Sequence, residues 1–282
     1  MKKTLALVLA LVMALALVAC GGKTEKKKTA LDQIKESGVL TIATSPDFSP
    51  MEFVDSSKSG QEQYVGFDIS LAKYIAEYLG VTLEIQAMGF DACQTAVFTG
   101  SVPMSLSGYS WMAERAENYE LSDYYYAGDN ETEQVLLVRA DDAEKYTSAE
   151  DFAGVKVGAQ NASLQMSLVT DQLSDAEAVT IGDIGVGVLE LQSGNIDALA
   201  VAKGNGEQII ANNPDLVMCT WEFEVSEEFE ANVIMITKGE TELLEVVNQA
   251  LAEAKEKGYY AEWYEQALAD AAKETAIDVT LD

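Results

Sequence analysis

Short apolar runs of strand length alternate with longer amphipathic segments along most of this chain. In Phe67–Leu79 the apolar side chains recur three and four positions apart, which predicts a helix with one buried face. We expect Asp68 to cap the start of this helix and Gly80 to end it. The flanking runs Val39–Ala43 and Val81–Gln86 have the length and composition of strands. Strand and helix therefore alternate, as in an α/β protein.

The alternation continues to the C-terminal part of the chain. The other predicted strands are Met104–Leu106, Gln134–Arg139, Val155–Ala159, Ile196–Val201 and Val233–Thr237. The other predicted helices are Phe90–Phe98, Ser163–Leu173, Val186–Gln192 and Thr241–Lys257. We find no internal repeat in this order of elements.

The first 22 residues follow a different pattern. Two lysines precede an unbroken apolar run, Leu5–Val18, which is shorter than the run of about 20 residues that a membrane-spanning helix needs. Small residues then flank Cys20 on both sides. We therefore predict a cleaved export signal of residues 1–19 and a lipid-carrying Cys20 that begins a tether of residues 20–30. The alternative is an ordinary export signal followed by a chance cysteine.

The chain is strongly acidic, with 18 Lys and Arg residues, 47 Asp and Glu residues and a formal net charge of −29. Removal of residues 1–19 takes away two lysines and no acid, which leaves 16 basic residues and a charge of −31. Nucleic-acid binding needs clustered Lys and Arg to replace phosphate counterions. The one dense cluster, Lys26–Lys28, adjoins the predicted lipid cysteine. We expect no nucleic-acid partner.

The chain contains no histidine. The usual general base at neutral pH and the commonest metal ligand are therefore missing, which excludes Ser-His-Asp and Cys-His catalysis. Cys93 and Cys219 are far apart in sequence and have no partner at metal-ligand spacing. We predict that both are buried thiols, with a disulfide between them as the alternative. We expect neither a cofactor nor a metal.

About 250 residues follow the tether, more than one hydrophobic core usually serves, so we predict two lobes. Open α/β sheets bind ligands at the carboxyl ends of their strands. The loop after the predicted strand at Met104 contains small hydroxyl residues, a glycine and aromatic residues, and it leads into a predicted helix that carries Arg115, one of only two arginines. A guanidinium suits bidentate binding of a carboxylate. The alternative is a surface arginine paired with Glu114 or Glu117.

Five motifs carry a resemblance to a known family. They are Gly38–Thr44, Phe48–Phe53, Gly66–Ala72, Glu114–Arg115 with Ser122–Tyr125, and Gly194–Ala198. In order and spacing they resemble the family 3 extracellular solute-binding proteins, the amino-acid receptors of ABC importers. The similarity extends from about residue 31 to residue 263, which is nearly the whole mature chain.

The resemblance implies an α/β fold of the two-lobed periplasmic-binding-protein type (type II), with the ligand cleft between the lobes. The first lobe would comprise residues 31–128 and 230–282, and the second lobe residues 129–229. The hinges would lie near Tyr126–Glu131 and Val225–Ala231.

The resemblance also implies which residues of the first lobe bind the ligand. Phe48 corresponds to an aromatic ring that lies against the ligand. Ser107, Gly108 and Ser110 correspond to a loop whose carbonyl and hydroxyl groups hold the amino and carboxylate ends of the ligand. Arg115 corresponds to the carboxylate clamp.

In the second lobe the resemblance implies that Ser163 and Leu164 begin a helix whose backbone N–H groups favour an anion. One departure lies in the same lobe. The family commonly has an acid there that pairs with the ligand's ammonium, and Ala202 stands in its place. Either another acid substitutes, Glu222 or Glu207, or the ligand lacks a standard α-amino group.

The function implied by the resemblance is binding without catalysis. The protein would be lipid-anchored at the extracytoplasmic face of the cell membrane and would bind an amino acid or a related small carboxylate by hinge closure. Its partners would be an ABC permease and its ATPase subunit. Two alternatives use the same fold: a dehydratase acting on cyclic dienyl acids, and a ligand-sensing lipoprotein with a signalling partner.

Overall fold

The computed structural model describes residues 28–126, 133–226, 229 and 231–278. The predicted export signal, Cys20 and most of the predicted tether lie outside the described residues. The helices are α1 (Ala30–Ser37), α2 (Phe67–Leu79), α3 (Phe90–Phe98), α4 (Ala113–Asn118), α5 (Leu164–Gln172), α6 (Ile184–Ser193), α7 (Lys203–Asn212), α8 (Thr241–Glu256) and α9 (Tyr259–Asp278). The strands are β1 (Val39–Thr44), β2 (Asp47–Phe48), β3 (Glu52–Val54), β4 (Tyr64–Val65), β5 (Thr82–Ala87), β6 (Met104–Ser105), β7 (Tyr119–Leu121), β8 (Gln134–Arg139), β9 (Lys156–Gln160), β10 (Glu177–Ile181), β11 (Ala198–Ala202), β12 (Leu216–Glu222) and β13 (Met235–Thr237).

Two five-stranded sheets form the centres of two lobes. The first sheet has the order β5-β1-β6-β13-β7 and the second has the order β10-β9-β11-β8-β12. In each sheet the first three strands are parallel, and the fourth is antiparallel to both of its neighbours. Because β13 follows all strands of the second sheet in sequence, the chain passes from the first lobe to the second and returns.

Both faces of each sheet are buried, as the central strand β8 illustrates. Val135 and Leu137 belong to one hydrophobic cluster, and Leu136 and Val138 belong to another on the opposite face. Side chains alternate between the two faces of a strand, so a continuous apolar run indicates a strand covered on both sides. A small antiparallel sheet, β2-β3-β4, stands apart from the two large ones and carries Phe48.

Every helix and strand predicted above is present, and the observed ends lie within two residues of the predicted ones. The structure adds α1, α7, α9, three strands of the large sheets and the small sheet. Helix α7 escapes a sequence pattern because Gly204 and Gly206 lie in its first half and its apolar residues do not recur at helical spacing.

The expected cap of α2 is wrong. Gly66 is the N-cap, at a φ of 118°, and a Cβ atom there would lie 2.3 Å from the carbonyl oxygen of Met51. Asp68 lies inside the first turn, and its carboxyl group is fully buried beneath the loop after β6, where it accepts hydrogen bonds from Gly108 and Tyr125. The side chain of Asp68 therefore makes tertiary contacts and does not cap the helix. Gly80 ends the helix in the left-handed conformation, as predicted.

Cys93 and Cys219 are buried free thiols, as predicted. In the part of the chain that the structure describes, no helix combines the length and apolar character needed to cross a membrane. The same residues contain no group of three or more His, Cys, Asp or Glu side chains able to hold a metal ion.

Candidate ligand-binding cleft

A narrow cleft lies between the two lobes, with a cavity volume of about 30 Å³. Both lobes contribute to its lining, through β2, the start of α3, the loop after β6 and α4 on one side, and through β9, α5, α6 and β11 on the other. The lining residues are Phe48, Phe90, Ser107, Gly108, Ser110, Arg115, Gln160, Leu164, Gln165, Ile184, Ala200, Val201 and Ala202.

The structure brings six of the seven expected ligand residues together at this cleft. They are Phe48, Ser107, Gly108, Ser110, Arg115 and Leu164. Ser163 is not among the lining residues, although it adjoins Leu164. Its hydroxyl caps α5 by accepting a hydrogen bond of 3.1 Å from the backbone N–H of Met166.

Arg115 is the only charged residue in the described lining of the cleft, and it is 4% exposed. Its Nη1 donates a hydrogen bond of 2.6 Å to the carbonyl oxygen of Ser110, and its Nη2 donates one of 2.8 Å to the carbonyl oxygen of Ala162 in the second lobe. The guanidinium carbon lies 5.3 Å from the ring centre of Tyr109 and 5.8 Å from that of Phe90. Burial lowers the pKa of Arg115 to about 10, so the side chain is protonated at neutral pH.

Arg115 has no carboxylate within ion-pair distance among the described residues. The alternative of a surface arginine paired with Glu114 or Glu117 is therefore wrong, because both glutamates are exposed while Arg115 is buried. A guanidinium has five N–H donors, and the two bonds above use only two of them. The remaining donors can bind a carboxylate in the cleft.

Two buried carboxyl groups hold the binding loop from behind. The hydroxyl of Ser107 donates a hydrogen bond of 2.7 Å to Glu52, and the backbone N–H of Gly108 donates one of 3.0 Å to Asp68. Asp68 also accepts a bond of 2.9 Å from the hydroxyl of Tyr125. Burial raises the pKa of Asp68 to about 6.

Gly108 and Phe48 are in close contact at one wall of the cleft. Gly108 has a φ of 56°, and a Cβ atom there would lie 2.7 Å from the ring of Phe48. Phe48 packs against hydrophobic clusters of both lobes. Only glycine provides both the left-handed backbone and the space that this ring occupies.

The second lobe presents the start of a helix to the cleft. Leu164 and Gln165 are the first two residues of α5, and both line the cleft. The N–H groups of a first helical turn have no carbonyl partner within the helix, and the helix dipole makes this end positive. Arg115 from one lobe and this helix end from the other therefore give the cleft a positive potential.

Several hydrogen bonds join the lobes across the cleft. Asp47 accepts bonds of 2.9 Å from the side-chain amide of Gln160 and from the backbone N–H of Ile184. Burial raises the pKa of Asp47 above its usual range. The others, besides the bond from Arg115, are Gln94 Nε2 to Ala162 O at 3.2 Å, Asn161 Nδ2 to Asp91 Oδ2 at 2.9 Å and Asn205 Nδ2 to Ser49 O at 3.2 Å. The lobes are thus in direct contact across the cleft.

Ala202 ends β11 and is fully buried in the cleft lining. Glu207 and Glu222, which were considered as substitutes for an acid at this place, are both exposed, and neither belongs to the lining. The expectation that Glu207 or Glu222 takes the place of the family's acid is therefore wrong for this arrangement of the chain.

Several lining residues carry no motif that marks them in the sequence, chiefly Phe90, Gln160, Gln165 and Ile184. Gln160 is the last residue of β9, and Phe90 and Ile184 follow β5 and β10 by three residues. The rule that directed attention to the loop after β6, that ligands bind beyond the carboxyl ends of strands, therefore applies to all of them. The rule selects these positions only when the strand ends and the sheet order are known. The sequence pattern does not reveal β10, so Ile184 could not be selected in this way.

Two α/β lobes, a chain that passes between them twice and a cleft between them define this protein as a two-lobed binding protein of the type II periplasmic fold. Residues 40–270 match the bacterial extracellular solute-binding proteins, family 3. The chain belongs to this family.

Similar proteins include both sequence relatives and solved structures. The arginine-binding extracellular protein ArtP of Bacillus subtilis is 30% identical over 263 residues, which cover 92% of this chain and 94% of that protein. The crystal structure of an amino acid ABC transporter substrate-binding protein from Streptococcus pneumoniae, bound to L-arginine, is 33% identical with a TM-score of 0.77 and covers 86% of this chain and 98% of its own. The ancestral amino acid-binding protein AncCDT-1, a precursor of cyclohexadienyl dehydratase, is 30% identical with a TM-score of 0.70 and covers 85% of this chain and 99% of its own.

Proposed function

We propose that this chain is the extracytoplasmic binding subunit of an ABC importer for a small carboxylate, an amino acid or a related solute. One observation carries the proposal. Arg115 is a buried guanidinium that lines the cleft and has no carboxylate partner among the described residues. Burial of a charge without a partner is strongly unfavourable, so an anion from outside the chain is the natural partner.

The chemistry of the cleft supports a carboxylate as that anion. Arg115 binds a planar carboxylate through parallel N–H bonds better than a lysine does. The first turn of α5 adds partial positive charge from the second lobe. Phe48 and Leu164 provide apolar surface for the body of the solute.

A solute that contacts both lobes favours the arrangement in which they are closed. The hydrogen bonds of Asp47 and Arg115 across the cleft support such a closed state. We propose hinges near residues 126–131 and 225–231, of which residues 127–132, 227, 228 and 230 lie outside the described part of the chain. The first lobe would comprise residues 31–128 and 230–282, and the second lobe residues 129–229.

Partners and location follow from the family and from the N-terminal sequence. ABC transporter binding proteins among the similar structures support a permease and an ATPase as partners. The sequence around Cys20 supports removal of residues 1–19 and a lipid anchor at the extracytoplasmic face of the membrane. A sensor that passes its closed state to a signalling protein would use the same cleft.

The similarity to a precursor of a dehydratase makes catalysis a second candidate. A dehydratase of cyclic dienyl acids would need a proton donor beside the substrate. No Asp or Glu lines the described cleft, and we therefore propose a protein that binds without turnover. Incubation with a cyclic dienyl acid should leave it unchanged, and formation of an aromatic product would support the enzyme instead.

The test of the proposal uses the two arginines of the chain. Arg115→Lys should weaken binding of a carboxylate ligand at least about tenfold, because a lysine cannot form the bidentate contact. Arg139→Lys is the matched control, since Arg139 bonds Asp142 and Asp197 in the second lobe and does not line the cleft. Calorimetry of both variants with a hit from a thermal-shift screen would decide, and equal affinities would contradict the proposal.

A further inference from the structure

We infer that the carboxylate which binds in this cleft carries no free ammonium group: a 2-hydroxy, 2-oxo or N-acyl acid, or an unsubstituted acid, with an apolar body. The inference rests on the proposed function and narrows its ligand class. It follows from the groups that line the cleft and from what the neighbouring acids already bond.

The lining of the cleft is positively charged. Arg115 is its one charged side chain among the described residues, and it is cationic. No Asp or Glu lines the described cleft. An α-amino acid would therefore have its carboxylate neutralised, while its ammonium would be buried beside a guanidinium with no counter-ion. Such burial of an unpaired charge is strongly unfavourable.

The buried acids nearest to the cleft form hydrogen bonds within the protein itself. Asp68 accepts from Gly108 and Tyr125 behind the loop, and Glu52 accepts from Ser107. Asp47 accepts from the side chains of Ser45 and Gln160 and from the backbone of Ile184. None of these carboxyl groups belongs to the lining, so none is placed to pair with an ammonium of the ligand.

Two neutral acceptors of the binding loop form hydrogen bonds within the protein. The hydroxyl of Ser107 donates to Glu52 and accepts from the backbone N–H of Ser45. The carbonyl oxygen of Ser110 accepts from Arg115. The hydroxyl of Ser107 and one lone pair of the Ser110 carbonyl oxygen are thus engaged within the protein.

The remaining polar side chains of the cleft are neutral amides. Gln160 and Gln165 each donate one bond within the protein, to Asp47 and Gln134. An amide suits an uncharged hydroxyl, keto or N-acyl group on the ligand, since it pairs with a dipole at little desolvation penalty. Phe48, Phe90 and Ile184 add apolar surface on which the body of the ligand can lie.

The test compares ligands that share a carboxylate and a side chain and differ only at the α-position. We would titrate the purified protein at pH 7 with L-phenylalanine, phenyllactate, 3-phenylpropanoate and N-acetyl-L-phenylalanine, and with the corresponding leucine series. At least one acid without an ammonium should bind about tenfold or more tightly than its amino acid. An amino acid that binds as tightly as the best of its uncharged relatives would overturn the inference.

Ala202 provides a matched pair of variants. It ends β11 as the N-cap of α7, with extended backbone and no side-chain cap, and aspartate and asparagine are both favoured at such a position. Ala202→Asp adds a carboxylate at the cleft, whereas Ala202→Asn adds the same volume without charge. The aspartate variant should lose affinity for the uncharged relatives and gain affinity for the amino acid, and the asparagine variant should keep the wild-type order of the series. An aspartate variant with the wild-type order would count against the inference.

The two proposals fail in different ways. Binding of acids without an ammonium that is unaffected by Arg115→Lys, or no binding by any member of the series, would contradict the proposed function and the inference together. Binding that depends on Arg115 but is equal for amino acids and their uncharged relatives would contradict the inference alone. The wild-type titrations are informative even where the variants at Ala202 do not fold, which circular dichroism would detect.

Discussion

Asp47 in the first lobe accepts a hydrogen bond of 2.9 Å from the side-chain amide of Gln160 in the second lobe. The same carboxyl oxygen accepts the backbone N–H of Ile184, also at 2.9 Å. One side chain therefore joins the end of β9 and the start of α6 to the first lobe. Both bonds exist only while the lobes are in contact, so they stabilise the closed arrangement in preference to an open one.

We predict that Asp47→Ala weakens ligand binding about tenfold, because hydrogen bonds to a charged group contribute about 1.5–3 kcal/mol and these form on closure. The melting temperature of the ligand-free protein should change little, whereas the affinity should fall. Calorimetry and thermal unfolding measure the two effects. Asp141→Ala is the control, since Asp141 is an exposed acid outside the cleft lining. Unchanged affinity in Asp47→Ala would show that these bonds do not contribute to closure.

Gly108→Ala should destabilise the protein by about 1–2 kcal/mol for the left-handed backbone and by about 1–3 kcal/mol more for the contact with Phe48. Gly194→Ala separates the two effects, because Gly194 is also left-handed, with a φ of 76°, and a Cβ atom there would meet no atom within 4 Å. Chemical denaturation would measure both. A double variant with Phe48→Ala should recover the steric part, which a double-mutant cycle detects as non-additivity. Additive losses would show that the ring moves aside at no cost.

Asp68 should make unfolding depend on pH between about pH 4 and 6. Its pKa is raised by burial to about 6, so the folded state holds a proton that the unfolded state releases near pH 4. The contribution of Asp68 to the free energy of unfolding is therefore greatest below pH 4, falls as the pH rises to 6 and is constant above it, with a total change of about 3 kcal/mol at most.

Asp68→Asn tests this contribution. Asparagine keeps an oxygen for Gly108 and Tyr125, so the binding loop should stay in place. The difference in unfolding free energy between this variant and the wild type should change between pH 4 and 6. A constant difference for Asp68→Asn would mean that Asp68 does not titrate in this range.

Cys93 and Cys219 should resist alkylation in the folded protein. Burial raises the pKa of Cys93 to about 12 and also raises that of Cys219, so neither forms the reactive thiolate at pH 8. Iodoacetamide treatment followed by peptide mass spectrometry distinguishes these two thiols from Cys20. Both should react fully in denaturant without a reductant, and a requirement for reductant would show that they form a disulfide.

Much of the fold can be predicted from the sequence because periodicity is a local property. Helix α2 needs only the spacing of its apolar residues and Gly80 at its end, and β8 needs only an apolar run of strand length. The length of the chain predicted two lobes, and the resemblance of five motifs added the type II fold and the boundaries of the lobes. Helix α7 was missed because Gly204 and Gly206 weaken its local pattern, and packing against β8, β11 and β12 stabilises it instead.

The sequence alone determined the alternation of strand and helix, the acidic charge, the absence of histidine and the presence of a scarce arginine after a strand loop, since each is a property of composition or of short spacing. Only the tertiary structure decided that Arg115 is buried without an ion pair, that Asp68 supports a loop 40 residues away rather than capping its own helix, and that no acid lines the cleft. Those facts depend on distances between residues far apart in the chain, and such distances are set by how the two lobes pack.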